Sequence, residues 1–413
     1  MVIIARTGTA SDPRGLEGAL QLAMRSLRRG AGRRSSVQID ETVDGLGAEL
    51  SASADVCTAS IHATVIRRNL EPLLDLVADV LLRPTFAPKE VSQVRRETRA
   101  DIIDSRDDDR TLAGRWFRRT LFAGHPFGRP SVGTLASLGR VGREDTREAF
   151  AQTFVKSNLM FAAAGDIRPA EFERVVASRF AAVPVGAAPD ASLPEPPRLK
   201  GRRLVIVDKP ERTQTQIYIG GMGSHPFDED HVALHVGNTI FGGTFTARLM
   251  REVRSKRGWS YGASSRMGRD RAREAWSMWT FPAATDAAAC VALQLELFDQ
   301  LLHDGVTERE LAFAKNFLVR GWAFEIDTAP KRLNQRIDEA VVPLPRGFYD
   351  SYLDRVRSVT RDDVNAALRR RLSSRDLLVS IVATAKDMRA SLEKAIPGLA
   401  ETRVIPFDTD ELS

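Results

Sequence analysis

The sequence predicts an α+β protein made of two homologous domains, each an α/β sandwich whose mostly antiparallel sheet carries helices on one face. Three observations predict this class. Two segments repeat along the chain, apolar residues recur at helical and at strand periods, and a proline-rich stretch separates the repeats. With 413 residues, the chain also exceeds the size at which a single hydrophobic core stops growing. Two domains are therefore expected.

The repeat is clearest in a pattern of a helix followed by a buried strand. VGREDTREAF at 141–150 and VTRDDVNAAL at 359–368 each open a predicted helix, and an apolar strand pattern follows both. The two segments are 218 residues apart. A second pair of predicted helix starts repeats at an offset of 220 residues, at Glu90 and Glu310. Two matches at nearly one offset indicate a duplicated domain.

A linker separates the two halves. The stretch PVGAAPDASLPEPPRLKG, residues 184–201, contains five prolines among small residues, a composition typical of a semi-extended connector. We therefore predict an N-terminal domain at 1–185, a linker at 186–201 and a C-terminal domain at 202–413.

Apolar residues mark both a helix and a strand in the first half. Residues 69–82 predict an amphipathic helix that covers a sheet, through the stripe Leu70, Leu73, Leu74, Val77 and Leu81. Residues 57–65 alternate between apolar and polar side chains, which predicts a half-buried strand with Cys57 on its apolar face. Cys57 is then a buried small hydrophobe. Together with Cys290 it gives neither a disulfide framework nor a zinc-ligand spacing.

The composition excludes several classes of protein. Hydrophobic residues at 43% and charged residues at 28% are typical of a globular chain, and no run approaches the roughly 18 apolar residues of a membrane span. The net charge of +6 comes mostly from arginine, but the basic runs at 25–29 and 369–371 fall at predicted helix C-termini. Without interleaved aromatic residues they do not predict nucleic-acid binding, although they favour acidic partners or peptides.

The chain carries six histidines, and one pair has metal-ligand spacing. His231 and His235 are separated by four positions, so both rings lie on one helical face, but Val-Ala-Leu between them offers no carboxylate to serve as a base. An adventitious metal site and ordinary surface or helix-start histidines both remain open, and the second is favoured. The remaining histidines have no ligand spacing: His62, His125, His225 and His303.

A helix-to-strand junction follows in the second half. A predicted helix runs to about Lys256, Gly258 ends it, and a strand begins at Trp259. The turn between them brings Arg254 and Tyr261 toward one space. Taken alone this motif is weak, because an arginine near a helix C-terminus is common and a strand tyrosine usually packs. The earlier FGGTF turn at 241–245 is also more often a plain connection than an anion site.

In combination these segments resemble the pitrilysin/insulinase family of zinc metallopeptidases, particularly its small bacterial branch similar to the mitochondrial processing peptidase. The resemblance is carried by LFAGHPFGRP at 121–130, VDKPERTQTQI at 207–217, the glycine turn at 241–243 and the Arg254-to-Tyr261 segment. It covers nearly the whole chain. It implies two similar α/β domains and paired units that close around peptides, and it agrees with the duplication.

The family's zinc motif, H-x-x-E-H, is degenerate in this chain. The resemblance places it on a helix predicted to start at Asp12-Pro13. Gly18 and Leu22 occupy the two histidine positions, and Gln21 occupies the glutamate position. The downstream glutamate ligand falls near Asp101. Zinc needs three protein ligands, and hydrolysis needs a base. The chain is therefore expected to bind no metal and to be inactive alone.

The resemblance also implies a role in a heterodimer. In this branch a zinc-bearing subunit with H-x-x-E-H can pair with a subunit that supplies arginine and tyrosine. This role falls on Arg254 and Tyr261 as catalytic residues acting in trans, and on Arg254, Tyr261, Gly242 and Gly243 as substrate-binding residues. Zinc is then expected in the partner and peptide as the substrate. The alternative is an inactive scaffold or chaperone-like protein of the same fold.

The start of the chain differs from the family pattern. Family members usually have one or two strands before the equivalent of Val2-Ile-Ile-Ala-Arg, so the first strand is expected to be missing here. No signal peptide is recognised in the first residues. The sequence as it stands suggests a cytoplasmic protein, or a periplasmic one if a leader precedes Met1.

Overall fold

The computed structural model describes residues 1–342 and 344–410. Its strands are β1 (Val2–Ala5), β2 (Gly30–Ala31), β3 (Arg34–Ser35), β4 (Glu49–Ala54), β5 (Ala59–Thr64), β6 (Leu159–Ala162), β7 (Arg202–Asp208), β8 (Gln216–Met222), β9 (Ala263–Met267), β10 (Ala275–Thr280), β11 (Leu378–Ala383) and β12 (Leu399–Pro406). Its helices are α1 (Ala19–Ser26), α2 (Ser36–Gly45), α3 (Leu70–Leu82), α4 (Pro88–Asp104), α5 (Asp109–Leu121), α6 (Leu135–Arg140), α7 (Arg143–Thr153), α8 (Pro169–Arg179), α9 (His231–Phe241), α10 (Ala284–Asp304), α11 (Glu308–Ile326), α12 (Ala329–Val341), α13 (Phe348–Ser358), α14 (Arg361–Arg371) and α15 (Ala385–Ala395). The predicted α+β class is confirmed.

The chain divides into two compact units. Unit 1 comprises Met1–Asp104, Arg129–Ser192 and Thr328–Ile337, and unit 2 comprises Ser105–Gly128, Leu193–Asp327 and Asp338–Ser413. In unit 1 the strand order is β4-β5-β1-β6, and all three pairings are antiparallel. The core lies between one face of this sheet and helices that include α1 and α3. A two-stranded ribbon, β2-β3, completes the strands of this unit.

Two sequence patterns of unit 1 are confirmed. In β5 the alternate residues Ala59, Ile61 and Ala63 are buried, while His62 is exposed. Cys57, just before the strand, is also buried, as its place in the alternation predicts. The stripe on α3 faces the core, with its members buried except the first, Leu70, which is half-buried. Burial of one face explains both periods.

Unit 2 has a larger sheet with the strand order β12-β7-β11-β8-β10-β9. The pairings of β7 with β11 and β12 are parallel, and the other three are antiparallel. Helices α9, α10, α14 and α15 contribute to a core that includes Trp276 and Phe298, whose rings stack at 4.4 Å between centroids. Strand β9 forms one edge of this sheet.

The two units share a strand order. The run β4-β5-β1-β6 of unit 1 corresponds to β9-β10-β8-β11 of unit 2. Helices α7 and α14, which precede β6 and β11, begin 218 residues apart. Both begin with the same cap, because Asp145 accepts from Gly142 N at 2.7 Å and Asp363 accepts from Thr360 N at 2.9 Å. The repeat in the sequence therefore reflects two copies of one topology.

Helix α5 departs from the predicted arrangement. It belongs to the N-terminal half of the sequence but to unit 2 in space, where it packs on β8 and β11. Ser380 Oγ donates to Ala113 O at 2.9 Å, and Gly114 lies against the Tyr218 ring. All six residues of β11 are buried in consequence, so helices cover both faces of this sheet rather than one. The spatial units thus differ from the contiguous division predicted at 185 and 202.

Unit 2 also has two strands without a counterpart among the described residues of unit 1. Strand β12 pairs only with β7, in parallel. In unit 1 no strand equivalent to β7 or β12 follows α8 among the described residues. Residues 184–200 contain neither helix nor strand. This irregular segment coincides with the proline-rich linker. None of the described helices is long and apolar enough to span a bilayer.

Candidate functional site

Arg254 and Tyr261 come together in unit 2, at the edge of its sheet. The Arg254 guanidinium carbon lies 4.2 Å from the centre of the Tyr261 ring. Arg254 sits in a π-helical segment, Met250–Ser255, and Tyr261 lies two residues before β9. The predicted strand start at Trp259 is therefore four residues too early, because β9 begins at Ala263.

The turn between the two residues is fixed by the backbone. Lys256 N donates to Arg251 O at 3.0 Å, the wide spacing of a π-helix, and Gly258 N donates to Arg254 O at 2.9 Å. Gly258 has a φ of +67°, a conformation that favours glycine. Val253, fully buried, anchors the segment in the core. Single-turn π-segments of this kind are frequent at functional sites.

Phe245 is a third member of this site, and the sequence reasoning missed it. Its ring centre lies 4.7 Å from the Arg254 guanidinium, so the cation lies near two aromatic rings. Phe245 is 66% exposed and Tyr261 is 76% exposed. We call Phe245, Arg254 and Tyr261 the aromatic–arginine cluster. Its only sequence signal was the phenylalanine that follows the glycine turn.

The two glycines of the turn have a packing role. A Cβ on Gly242 would lie 2.4 Å from Ser265 N, and one on Gly243 would lie 2.7 Å from Thr239 Cα. Gly242 O also accepts from Ser265 N at 3.0 Å, so the turn closes directly on β9. Both glycines are therefore required for this close approach, and the approach places Phe245 beside Arg254.

A buried polar network holds the same turn. The side chain of Asn238, near the end of α9, accepts at Oδ1 from Ser265 Oγ at 2.7 Å and from Trp276 Nε1 at 2.9 Å. Its Nδ2 donates to Ser265 O at 3.3 Å. One amide thus ties α9 to β9 and β10. The aromatic–arginine cluster is exposed, but its supporting layer is buried and hydrogen-bonded.

The positions of the degenerate zinc motif do not fit a zinc site. Gly18 has a φ of +94°, and a Cβ there would lie 2.7 Å from Val132 O. Leu22 is fully buried in the core. The side chain of Gln21 accepts from Ala54 N at 2.7 Å, so it satisfies the backbone of β4. No group of three or more potential metal ligands occurs in the described part of the chain.

The remaining candidate ligand is engaged in an ion pair. Asp101 on α4 pairs with Arg25 on α1 at 2.7 Å, and Glu97 on α4 pairs with Arg29 in the 3-10 turn that follows α1. A carboxylate at this position therefore neutralises an arginine. Together with Gly18 and Leu22, this arrangement leaves neither a ligand set nor a base for water.

The predicted helix start at Asp12-Pro13 is wrong. Helix α1 begins at Ala19, because Gly15 and Gly18 adopt positive φ and interrupt the chain before it. Asp12 still caps the helix through space, since its carboxylate accepts from Gly18 N at 2.8 Å and from Leu20 N at 3.2 Å. Burial raises the pKa of Asp12 to about 7.

The pair His231 and His235 is buried or half-buried rather than on the surface, as α9 packs into unit 2. His231 Nδ1 is 2.9 Å from Ser224 Oγ, and His235 Nδ1 is 2.9 Å from the Tyr352 hydroxyl. Burial, together with the nearby cation Arg269, lowers the pKa of His231 to about 3 and that of His235 to about 4. Both rings are therefore neutral and structural.

This pair predicts a pH dependence of stability. An unfolded histidine binds a proton below its ordinary pKa of 6.5, whereas the folded rings stay neutral until about pH 4. Stability is therefore full above pH 6.5 and falls as the pH drops toward 4, by up to about 1.4 kcal/mol per pH unit for each ring. We expect His231→Asn/His235→Asn to flatten this part of the profile, measured as urea midpoints from pH 7 to 5. An unchanged slope contradicts the assignment.

Two other histidines, His125 and His225, make equivalent hydrogen bonds to the backbone of their loops. In His125-Pro-Phe and His225-Pro-Phe, the ring Nδ1 accepts from the backbone N of Phe127 and of Phe227, each at 3.1 Å. The opposite ring nitrogens contact carbonyl oxygens, of Pro194 at 3.0 Å and of Arg271 at 3.1 Å. These histidines order loops, as the following prolines predicted, and are not ligands.

Two family models match the chain. Residues 2–135 match the family model described as insulinase (peptidase family M16), and residues 140–318 match the model described as the peptidase M16 inactive domain. An uncharacterized zinc protease of Mycobacterium tuberculosis is 27% identical over 371 residues, which cover 89% of this chain and 84% of the relative. A non-peptidase homolog of Helicobacter pylori is 22% identical, over 82% of this chain and 78% of that protein.

Solved structures show the same fold. A crystal structure of a peptidase M16 inactive domain from Pseudomonas fluorescens has a TM-score of 0.84 and 25% identity, with 92% of each chain covered. A protease from Helicobacter pylori has a TM-score of 0.83 at 15% identity, over 92% of this chain and 93% of that one. The second likeness concerns the fold alone.

Proposed function

Because this chain belongs to the M16 peptidase family as a non-catalytic member, we propose that it is the substrate-binding subunit of a heterodimeric metallopeptidase. In this proposal a homologue with an intact H-x-x-E-H motif binds zinc. The present chain binds the peptide and supplies Tyr261 and Arg254 to the partner's zinc site. Zinc in the partner would activate the water that attacks the peptide bond.

The exposed aromatic–arginine cluster is the observation that carries the proposal. Three large side chains gather on the surface at a turn whose glycines and buried amide network hold them in place. In a protein that acts as a scaffold, nothing requires an exposed tyrosine and phenylalanine at such a fixed turn. Exposed apolar groups gathered in this way favour a binding surface.

The chemistry of Tyr261 suits an oxyanion. Its hydroxyl makes no hydrogen bond to any residue that the structure describes, so it is available as a donor. Attack of hydroxide on a peptide carbonyl places negative charge on the carbonyl oxygen. A positioned phenolic donor stabilises that charge more than it stabilises the neutral carbonyl.

Arg254 suits a ground-state contact. Its guanidinium face lies near Phe245 and Tyr261, and it has no carboxylate partner within the described residues. The N–H groups along its edge remain available to donate to substrate carbonyl oxygens. Because those oxygens are present in the substrate and in the transition state alike, Arg254 should contribute to binding rather than to the chemical step.

Reconstitution tests the proposal. We expect no peptidase activity from this chain alone, and activity when it is mixed with an H-x-x-E-H homologue. In that pair Arg254→Ala should raise KM by about tenfold to hundredfold with kcat little changed, because hydrogen bonds to a charged group contribute about 1.5–3 kcal/mol. Steady-state kinetics on a fluorogenic peptide measure both constants.

A neighbouring arginine provides the control. Arg257→Ala removes the same charge from a side chain that lies over Trp259 and pairs with Glu252, outside the cluster. Its KM should stay close to that of the unmodified pair. A stable complex without activity would instead favour the scaffold or chaperone-like role.

A further inference from the structure

Unit 2 contains a cavity of about 460 Å³ away from the residues of the aromatic–arginine cluster. Five chain segments line it. They are the end of β8, the start of β10 with Arg273 just before it, α10, the loop from the end of α14 to β11, and residues 198–199 before β7. Its lining includes the buried apolar side chains of Trp276 and Phe298. The cavity is therefore formed by several elements of unit 2 together and opens to solvent.

Arginine dominates the lining of this cavity. Six of its lining residues are arginines: Arg198, Arg273, Arg369, Arg370, Arg371 and Arg375. The single acidic residue that lines it is Asp376, whose carboxylate accepts from Gly201 N at 2.9 Å and from Ser373 Oγ at 3.0 Å. Asp376 is thus committed to the loop that it holds.

Three of the six arginines have acidic partners. Arg273 pairs with Asp228 at 2.9 Å, and Arg370 pairs with Asp230 at 3.0 Å. Arg371 pairs with both aspartates, at 2.9 and 2.8 Å. These ion pairs fix one wall of the cavity and neutralise that part of its charge.

The other three have none. Arg198, Arg369 and Arg375 form no ion pair with any described residue. The dipole at the C-terminal end of α14 accounts for a cation at Arg369. It does not account for Arg198 and Arg375, which come from separate segments outside the helix. Three exposed arginines without an acidic partner among the described residues therefore line one cavity.

We propose that this cavity binds a compact anion that carries two or more phosphate groups. A guanidinium group can donate two parallel hydrogen bonds to two oxygens of one phosphate. Ser373 and Ser374 add hydroxyl groups to the lining. A single carboxylate would leave two of the three cations uncompensated. An extended acidic peptide spreads its charges over about 3.3 Å per residue, whereas the three arginines without ion pairs line a single cavity.

Titration of the purified chain with inorganic triphosphate, at fixed ionic strength, tests the proposal. We expect saturable binding by calorimetry that weakens as sodium chloride is raised. Arg369→Ala/Arg375→Ala should weaken the affinity by about tenfold or more, because each removed guanidinium takes charge-assisted hydrogen bonds with it. Arg198→Ala, on a different segment, should weaken it as well.

A double variant with the same charge change is the control. Arg357→Ala/Arg361→Ala removes two half-exposed arginines that do not line the cavity, and it should bind triphosphate with unchanged affinity. Melting temperatures without ligand establish that each variant is folded. If the double cavity variant is unfolded, Arg198→Ala and Arg375→Gln carry the test.

Three results would overturn the proposal. They are triphosphate binding no tighter than sulfate at equal ionic strength, an equal loss in the control variant, and binding of an acidic hexapeptide in place of triphosphate. The measurement needs neither a partner nor peptidase activity. Its outcome is therefore independent of the proposed role in a heterodimer.

Discussion

Tyr261→Phe should lower kcat of the reconstituted pair by about 10²- to 10³-fold, since loss of one oxyanion donor costs about 3–4 kcal/mol in the transition state. The substitution keeps the aromatic ring over which Arg254 lies and removes only the hydroxyl. KM should change little, because the charge that the hydroxyl stabilises develops only during the reaction.

Single-turnover kinetics measure the effect on the chemical step, and gel filtration checks that the two subunits still associate. Tyr218→Phe is the matched control, because it removes a phenolic hydroxyl from β8, where the ring packs against Phe117 of α5. That variant should retain kcat within about twofold. Full activity of Tyr261→Phe would contradict the catalytic role of this tyrosine and would favour the scaffold role.

Rebuilding the zinc motif should unfold the protein rather than activate it. Gly18→His places a side chain where φ is +94° and where a Cβ would lie 2.7 Å from Val132 O. A non-glycine residue in a left-handed conformation costs about 1–2 kcal/mol before any clash. Leu22→His replaces a fully buried leucine with a polar ring, at a cost of about 2–5 kcal/mol.

The triple variant Gly18→His/Gln21→Glu/Leu22→His should thus lose about 3–7 kcal/mol before any clash, out of a typical folding free energy of about 5–15 kcal/mol. Thermal melts of the single and triple variants measure this loss, and metal analysis after dialysis measures zinc. Gln21→Glu alone is the control, because its carboxylate can still accept from Ala54 N. A triple variant with an unchanged melting temperature and one bound zinc per chain would show that the backbone tolerates the site.

The sequence alone determined the features that depend on local patterns. The period of α3, the alternation in β5 and the caps of α7 and α14 are set by neighbouring residues, so the repeat and the α+β class followed from them. The loss of the zinc ligands could also be recognised from the sequence, because it depends only on which residues occupy positions 18, 21 and 22. The approach of Arg254 to Tyr261 was predicted from a single glycine that ends a helix.

The tertiary structure decided what depends on residues far apart in the chain. Asp12 caps α1 across an intervening turn, and α5 joins a sheet whose strands come from the second half of the sequence. Phe245 reaches Arg254 only because Gly242 allows the turn to close on β9. The cavity arginines likewise come from separate segments. Such placements depend on close packing between distant elements, which local periodicity and turn chemistry do not encode.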